Sequence, residues 1–171
     1  FVIVGNIERL REPLLDKSIF ALCISPLGDS LWSRTYSFTG RRADAGSVIH
    51  DSSGAFYIGG RSLDEPVGPQ VISCNAEGDT IWTRLLRAAI QDFSSAKLSY
   101  TPYNSLIYTM YLMDILTRND QQFITALTPT GDVAMEVETY SGEDTSSSVS
   151  FSVLQDSTIS TTGNILFENN G

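Results

Sequence analysis

The chain has 171 residues, 42% hydrophobic and 18% charged, a globular balance with enough length for one ordinary domain and its core. Its net charge of −9, with no basic stripe, argues against nucleic acid, whose binding depends on neutralising phosphates, and reads as a soluble acidic surface. No apolar run approaches the roughly eighteen residues that would cross a membrane, so no membrane insertion is expected, and two cysteines make no disulfide framework.

The first segment, Phe1-Val2-Ile3-Val4-Gly5-Asn6, reads like the middle of a strand, without an initiator Met or the basic lead-in of a signal peptide. The last, Glu168-Asn169-Asn170-Gly171, is equally abrupt. The expectation is a piece of a longer array. Leu10–Leu15 could pass for a helical turn, but Pro13 argues against it. Ile19–Ile24 alternates, meets the turn Ser25-Pro26-Leu27-Gly28-Asp29, and continues as a second alternating run, Leu31–Tyr36. Two β-type runs around a short glycine turn predict a hairpin.

That hairpin recurs. Gln70–Cys74 and Ile81–Leu86 flank Asn75-Ala76-Glu77-Gly78-Asp79, and Phe123–Leu127 and Val133–Tyr140 flank Thr128-Pro129-Thr130-Gly131-Asp132. The turn glycines Gly28, Gly78 and Gly131 are 50 and 53 residues apart. A second hairpin alternates with the first: Ser47–His50, the turn Asp51–Gly54, and Ala55–Gly60; then Ala96–Tyr100, the turn Thr101–Asn104, and Leu106–Met110; then Ser148–Val153, the turn Gln155–Ser157, and Thr158–Gly163. Phe1–Asn6 matches its back half, and Gly5, Gly60 and Gly163 align.

Each unit is therefore four short antiparallel strands, A to D, with tight A–B and C–D turns and longer B–C and D–A connections. Four strands in about fifty residues predict a β-propeller blade. The boundaries fall at 1–42 (strands B–D), 43–91, 92–144, and 145–171 (strands A–B). This is too little to close a propeller of four to eight blades, so an incomplete propeller is expected. A two-sheet sandwich is the runner-up and gives no reason for the period.

The spacing resembles the repeats of bacterial secreted and cell-surface β-propeller proteins, which follow the pattern hydrophobic-K-L-D-x-x-G-x-x-x-W-x-x-x-Y and then D-x-G-G-Y-x-x-x-G. Gly28, Trp32 and Tyr36, then Asp51, Gly54, Tyr57 and Gly60, then Gly78 and Trp82 carry the resemblance. The third repeat departs from it, with Met135 in place of Trp and Asn104 in place of the turn glycine. Such repeats are common in large exported proteins, including substrates of the type IX secretion pathway. The resemblance implies an extracellular or cell-surface location, with the periplasm as the alternative. Gly-x-x-x-Trp is also similar to quinoprotein propeller repeats of nearer forty residues, but no quinone-enzyme site is recognised.

Trp32 and Trp82 read as wedges between neighbouring blades, with sugar stacking as the alternative. Asp29, Asp79 and Asp132 are expected to accept nearby backbone N–H groups in their turns. No D-x-D-x-D-G calcium loop occurs, one histidine (His50) makes neither a triad nor a His-rich zinc site, and Cys23 and Cys74 fall on opposite faces by strand alternation. No metal or cofactor is expected. The carboxylate neighbours Asp64-Glu65, Glu136/Glu138 and Glu143-Asp144 do not by themselves place a pair in a cleft.

Strand alternation puts every long connection at one end: Ile7–Ser18, Arg61–Pro69 and Met113–Gln121, with Ser37–Ala45, Arg87–Phe93 and Ser141–Ser147. Repeat proteins usually bind through the end whose loops vary. Candidate binding residues there are Arg11, Arg41, Arg42, Arg61, Asp64, Glu65 and Arg118, among other charges of mixed sign that include Arg9, Glu12 and Arg87. The functional expectation is a non-enzymatic binding or scaffold module that engages protein or glycan. The remaining blades of the same polypeptide, or another chain, would pair its open strand edges. The alternative is part of a propeller hydrolase or oxidoreductase with its catalytic groups mostly elsewhere and His50, Lys97 and Ser99 as the nearest candidates.

Overall fold

The computed structural model describes residues 1–11, 14–37, 42–64, 67–86, 93–100, 106–113, 120–140, 149–153 and 159–163. The described residues are all-β, with no helix. The first sheet has the order β1 (Val2–Arg11), β2 (Leu14–Ile24), β3 (Ser30–Tyr36). The second runs β4 (Ala43–His50), β5 (Phe56–Ser62), β6 (Gly68–Cys74), β7 (Thr80–Leu85). The third runs β8 (Phe93–Tyr100), β9 (Leu106–Met113), β10 (Asp120–Leu127), β11 (Val133–Tyr140), and β12 (Val149–Val153) pairs with β13 (Ile159–Gly163). Every pairing is antiparallel and follows sequence order. The expected turns at 101–104 and 155–157, with Pro13 and Asn104, lie outside the described residues.

Two compact units are present: Phe1–Gln91 with Ala96–Leu98, and Asp92–Ser95 with Ser99–Gly171. In the second unit Ile107, Ile124 and Ala126 form an apolar cluster. Neighbouring Leu106 and Tyr108 on β9, and Phe123 and Leu127 on β10, are also buried. Strand neighbours point to opposite faces, so both faces of these middle strands are covered.

The first unit has its core between two sheets. Ile19, Ala21 and Tyr36, with Val2, Val4 and Trp32, face Ala43, Phe56, Ile58, Ile72 and Cys74, with Ala45 and Val48. Burying a Phe or Ile side chain contributes about 1.5–3 kcal/mol, so Phe56, Ile58 and Ile72 anchor this interface. β5 and β6 are buried on both faces, as the pattern along them records.

The tight turns share one backbone. Ser25 N–H donates to Asp29 O and Gly28 N–H to Ser25 O, and the same two bonds close 75–79 and 128–132. Asp51–Ala55 repeats them in an A–B turn. The four glycines have φ between 84° and 91°, a left-handed conformation that costs any residue with a Cβ. The sequence expectation for Asp29, Asp79 and Asp132 is corrected here. The oxygen that accepts the turn N–H belongs to the residue three before the glycine: Ser25 Oγ and Thr128 Oγ1, each at 3.1 Å, Asn75 Oδ1 at 2.7 Å, and Asp51 Oδ1 at 3.1 Å. After each C–D turn the outer strand carries one extra residue. Cys23 pairs with Trp32 and Ile24 with Ser30, Ser73 with Trp82 and Cys74 with Thr80, and Ala126 with Met135 and Leu127 with Val133. These are bulges, and they put Trp32, Trp82 and Met135 at one register position.

A second correction concerns Ile7–Ser18. It is not a loop: β1 and β2 run on as a paired ribbon to Arg11↔Leu14. Residues 7–11 pair without a break with residues 18–14. Likewise β9 reaches Met113 and β10 starts at Asp120, so the Met113–Gln121 connection narrows to 114–119.

Gly5 and Gly60 align in sequence but not in need. A Cβ on Gly60 would lie 2.0 Å from Asp44 O, while one on Gly5 would meet nothing within 4 Å. Gly60→Ala should therefore cost about 2–4 kcal/mol through forced separation of β4 and β5. Gly5→Ala should be neutral or stabilise by up to about 1 kcal/mol. Urea unfolding followed by tryptophan fluorescence checks both, because Trp32 and Trp82 both lie in this unit.

Candidate functional site

The end of the first unit that carries the long connections is built from charged cross-strand pairs. Glu8 lies opposite Lys17 in the β1–β2 register, and Asp44 opposite Arg61 in the β4–β5 register. Direct cross-strand neighbours of opposite charge attract. Lys17 Nζ pairs with Glu8 at 3.1 Å and also reaches Asp44 Oδ1. Arg61 closes on Asp44 Oδ2 through Nε and Nη2, each at 3.1 Å. One carboxylate thus takes two cations from two sheets. Beside it, Asn6 Oδ1 accepts the Ala45 N–H at 2.8 Å, a further tie between the sheets. The hydrogen bond to Asp44 is the main reason the Lys17 ammonium is held above its usual range.

Arg42 and Asp64 form the second element. The Arg42 backbone N–H donates to Asp64 Oδ2 at 2.8 Å, and its guanidinium donates to Oδ1 from Nε at 2.9 Å and from Nη2 at 2.8 Å. This clamps the end of the β3–β4 connection to the start of the β5–β6 connection. Leu63 N–H to Arg42 O at 2.9 Å completes it.

Of the sequence candidates, Arg42, Arg61 and Asp64 come together here, already paired. Arg11 ends β1, and Arg41, Glu65 and Arg118 lie outside the described residues, as do Glu143 and Asp144. Three cations (Lys17, Arg42, Arg61) are here paired with three carboxylates (Glu8, Asp44, Asp64). Lys17, Glu8, Asn6 and Asp44 were missed by the sequence reading. Extending the β1–β2 register two residues beyond Asn6↔Ile19 places Glu8 across from Lys17.

The opposite end holds the repeat residues. Trp32 stacks on Phe56 with ring centroids 5.5 Å apart and planes at 19°. Its Nε1–H donates to Ala76 O at 3.0 Å, and the Tyr36 hydroxyl donates to Gly78 O at 2.8 Å. Arg34 Nη2 lies 3.7 Å from Asp79. One face of β3 thus grips the 75–79 turn with three side chains. Trp82 has a different ring neighbour, Tyr57 of its own sheet, 6.1 Å away and tilted 47°. Met135 is exposed. His50 ends β4, exposed, with its Nδ1 3.2 Å from Asp51 O, and Lys97 and Ser99 lie on β8. Cys23 and Cys74 are both free thiols. Among the described residues no three His, Cys, Asp or Glu side chains group as a metal site. Comparison with protein-family models, with curated proteins and with solved structures found no match to this chain.

Asp44→Asn should cost about 2–3 kcal/mol, because it leaves Lys17 and Arg61 facing a neutral amide in a largely shielded place. Arg42→Ala, at a more exposed clamp, should cost about 1 kcal/mol or less. Chemical denaturation at low and high salt checks the order of the two. Burial raises the Cys74 thiol from 9.0 to about 11 and also raises the Tyr36 phenol beside it. Both groups fold in the neutral form, so their contribution is complete below pH 9 and declines as pH rises toward 11, where the unfolded thiol is ionised and the folded one resists. The thermal midpoint should fall over that window, and less steeply in Cys74→Ala.

Proposed function

We propose that this chain is a run of consecutive β-propeller blades from an exported or cell-surface protein. It serves as a non-enzymatic binding or scaffold module and contacts protein or glycan through the end with the long connections. The observation that carries this reading is the division of labour between the two ends of the first unit. The tight-turn end is spent on the protein itself: the turn carbonyls of Ala76 and Gly78 are taken by Trp32 and Tyr36. The turns at 25–29, 75–79 and 128–132 also repeat one backbone, with little room for variation.

The other end differs from repeat to repeat in sequence and in strand length, from a ribbon that runs to Arg11 in the first sheet to short connections in the second. Varied loops on a stiff base are where repeat proteins place recognition. The blade reading is supported by the sequence-order meander, the fifty-residue period, the face-to-face packing of the first two sheets, and β5 and β6 being covered on both faces. Paired charges at the loop end hold their hydrogen-bonding groups in fixed directions, so the contact is directional rather than a capture of bulk charge.

The test is binding of the chain to a panel of glycans and to proteins of its native surface. It is repeated with Arg41, Arg42, Asp64 and Glu65 all replaced by alanine. The expected outcome is a loss of at least about tenfold in affinity, or roughly 1.4 kcal/mol, with the thermal midpoint lowered by no more than the few degrees that loss of the Arg42–Asp64 clamp costs. Unchanged affinity for every partner found would reject this end as the binding surface.

A further inference from the structure

The first sheet has two faces, and only one is used within the first unit. Its back face corresponds, residue by residue, to the face of the second sheet that the first sheet covers. Ile24 N–H donates to Phe1 O and the Phe1 amine to Ile24 O, as Phe56 pairs with Cys74. Ile3 pairs with Leu22 as Ile58 pairs with Ile72, and Gly5 with Phe20 as Gly60 with Gln70. The equivalent positions differ in cover. Phe56 is 1% exposed and Ile58 0%, while Phe1 is 78% exposed and Ile3 52%.

The adjoining turns differ in the same way. A Cβ on Gly78 would meet the Trp32 ring at 3.1 Å and the Arg34 side chain at 3.0 Å, while one on Gly28 would meet nothing within 4 Å. Asp79 has Arg34 beside it, whereas Asp29 has no basic partner among the described residues. The carbonyls of Pro26 and Gly28 stand where those of Ala76 and Gly78 accept the indole and phenol.

We infer that this open face and the 25–29 turn form a socket for a further sheet of the same repeat in the native polypeptide. The outer strand of that sheet would set an indole over Gly28 with its N–H on Pro26 O, a basic side chain by Asp29, and a large side chain in the Tyr36 position. The argument is continuity with an interface already present. The 75–79 turn and Phe56–Ile58 receive Trp32, Arg34 and Tyr36, and the socket repeats these receiving elements in the same register, without a counterpart of β4. A second copy of this chain is a poor occupant through its own β3, because Trp32, Arg34 and Tyr36 are already engaged on its own second sheet. The inference rests on the repeat-array reading above and names what packs against its first sheet.

Thiol labelling of single-cysteine variants tests it. Ile3→Cys is compared with Leu31→Cys, whose counterpart Ile81 stays 60% exposed in the covered second sheet, in a Cys23→Ser, Cys74→Ala background, with Phe1→Cys as a second socket position. In the 171-residue chain made alone, Ile3→Cys and Leu31→Cys should react with a maleimide at similar rates. In the native polypeptide, Ile3→Cys and Phe1→Cys should react at least about tenfold more slowly than Leu31→Cys. A benzophenone side chain at position 3 should then form an intramolecular adduct with a strand that carries a tryptophan. Equal labelling in the native polypeptide, protection already present in the isolated chain, or an adduct to a second copy or to another protein would overturn the inference. Each of these leaves the loop-end binding result untouched, so failure here is distinguishable from failure of the binding role.

Discussion

The first unit depends on one contact, the seating of the β3 side chains on the 75–79 turn. Trp32 covers Phe56 and spends its indole N–H on Ala76 O, and Tyr36 spends its hydroxyl on Gly78 O. A buried indole or phenol without a partner would cost about 1–3 kcal/mol, so the two bonds make burial of these large rings affordable. They also fix where the turn sits. Gly78 is glycine for two independent reasons: its φ is +86°, and the tryptophan ring lies where a Cβ would go. One residue therefore joins the local geometry of a hairpin to the packing of two sheets. With that end fixed, the Phe56–Ile58–Ile72 layer fills the space between the sheets, and Asp44 closes the far end with Lys17 and Arg61.

The bulge after each C–D turn belongs to the same device. An inserted residue shifts the outer strand by one position and twists it locally. Without it, Trp32 would sit on the other face of β3, because a one-residue slip inverts every side chain of a strand. The insertion recurs in the second and third sheets, where Trp82 and Met135 occupy the shifted position. The turn type and the bulge thus recur together in all three sheets, and the first two add an aromatic to them, which the sequence carries as Gly-Asp-x-x-Trp.

Much of the strand plan was legible, because glycine turns and period-2 alternation are local signals. Every alternating segment recognised in the sequence lies in or beside a strand. The strand ends were less legible. Reading β1 as stopping at Asn6 turned a paired ribbon into a loop and hid the Glu8–Lys17 pair. The turn oxygen was misassigned for a related reason. Asp after glycine is the conspicuous residue, yet Ser25, Asn75, Thr128 and Asp51 do the capping from three residues earlier, and their types differ while their oxygen does not. The grip of Tyr36 on Gly78 had no local signal at all. It links residues 42 apart and follows only once two sheets are stacked. Strand alternation assigned the candidate arginines to the end with the long connections, but it could not reveal that Arg42 and Arg61 are already paired there.

If the seating of Trp32 is what couples the first two sheets, its energy must be shared with the residue it covers. A double-mutant cycle with Trp32→Ala and Phe56→Ala, read by chemical denaturation, measures that sharing directly. This account requires the two substitutions to be coupled by at least about 1 kcal/mol, with the double mutant costing less than the sum of the singles. Additive costs, with a coupling near zero, would contradict it, since the two rings would then stabilise their own sheets separately.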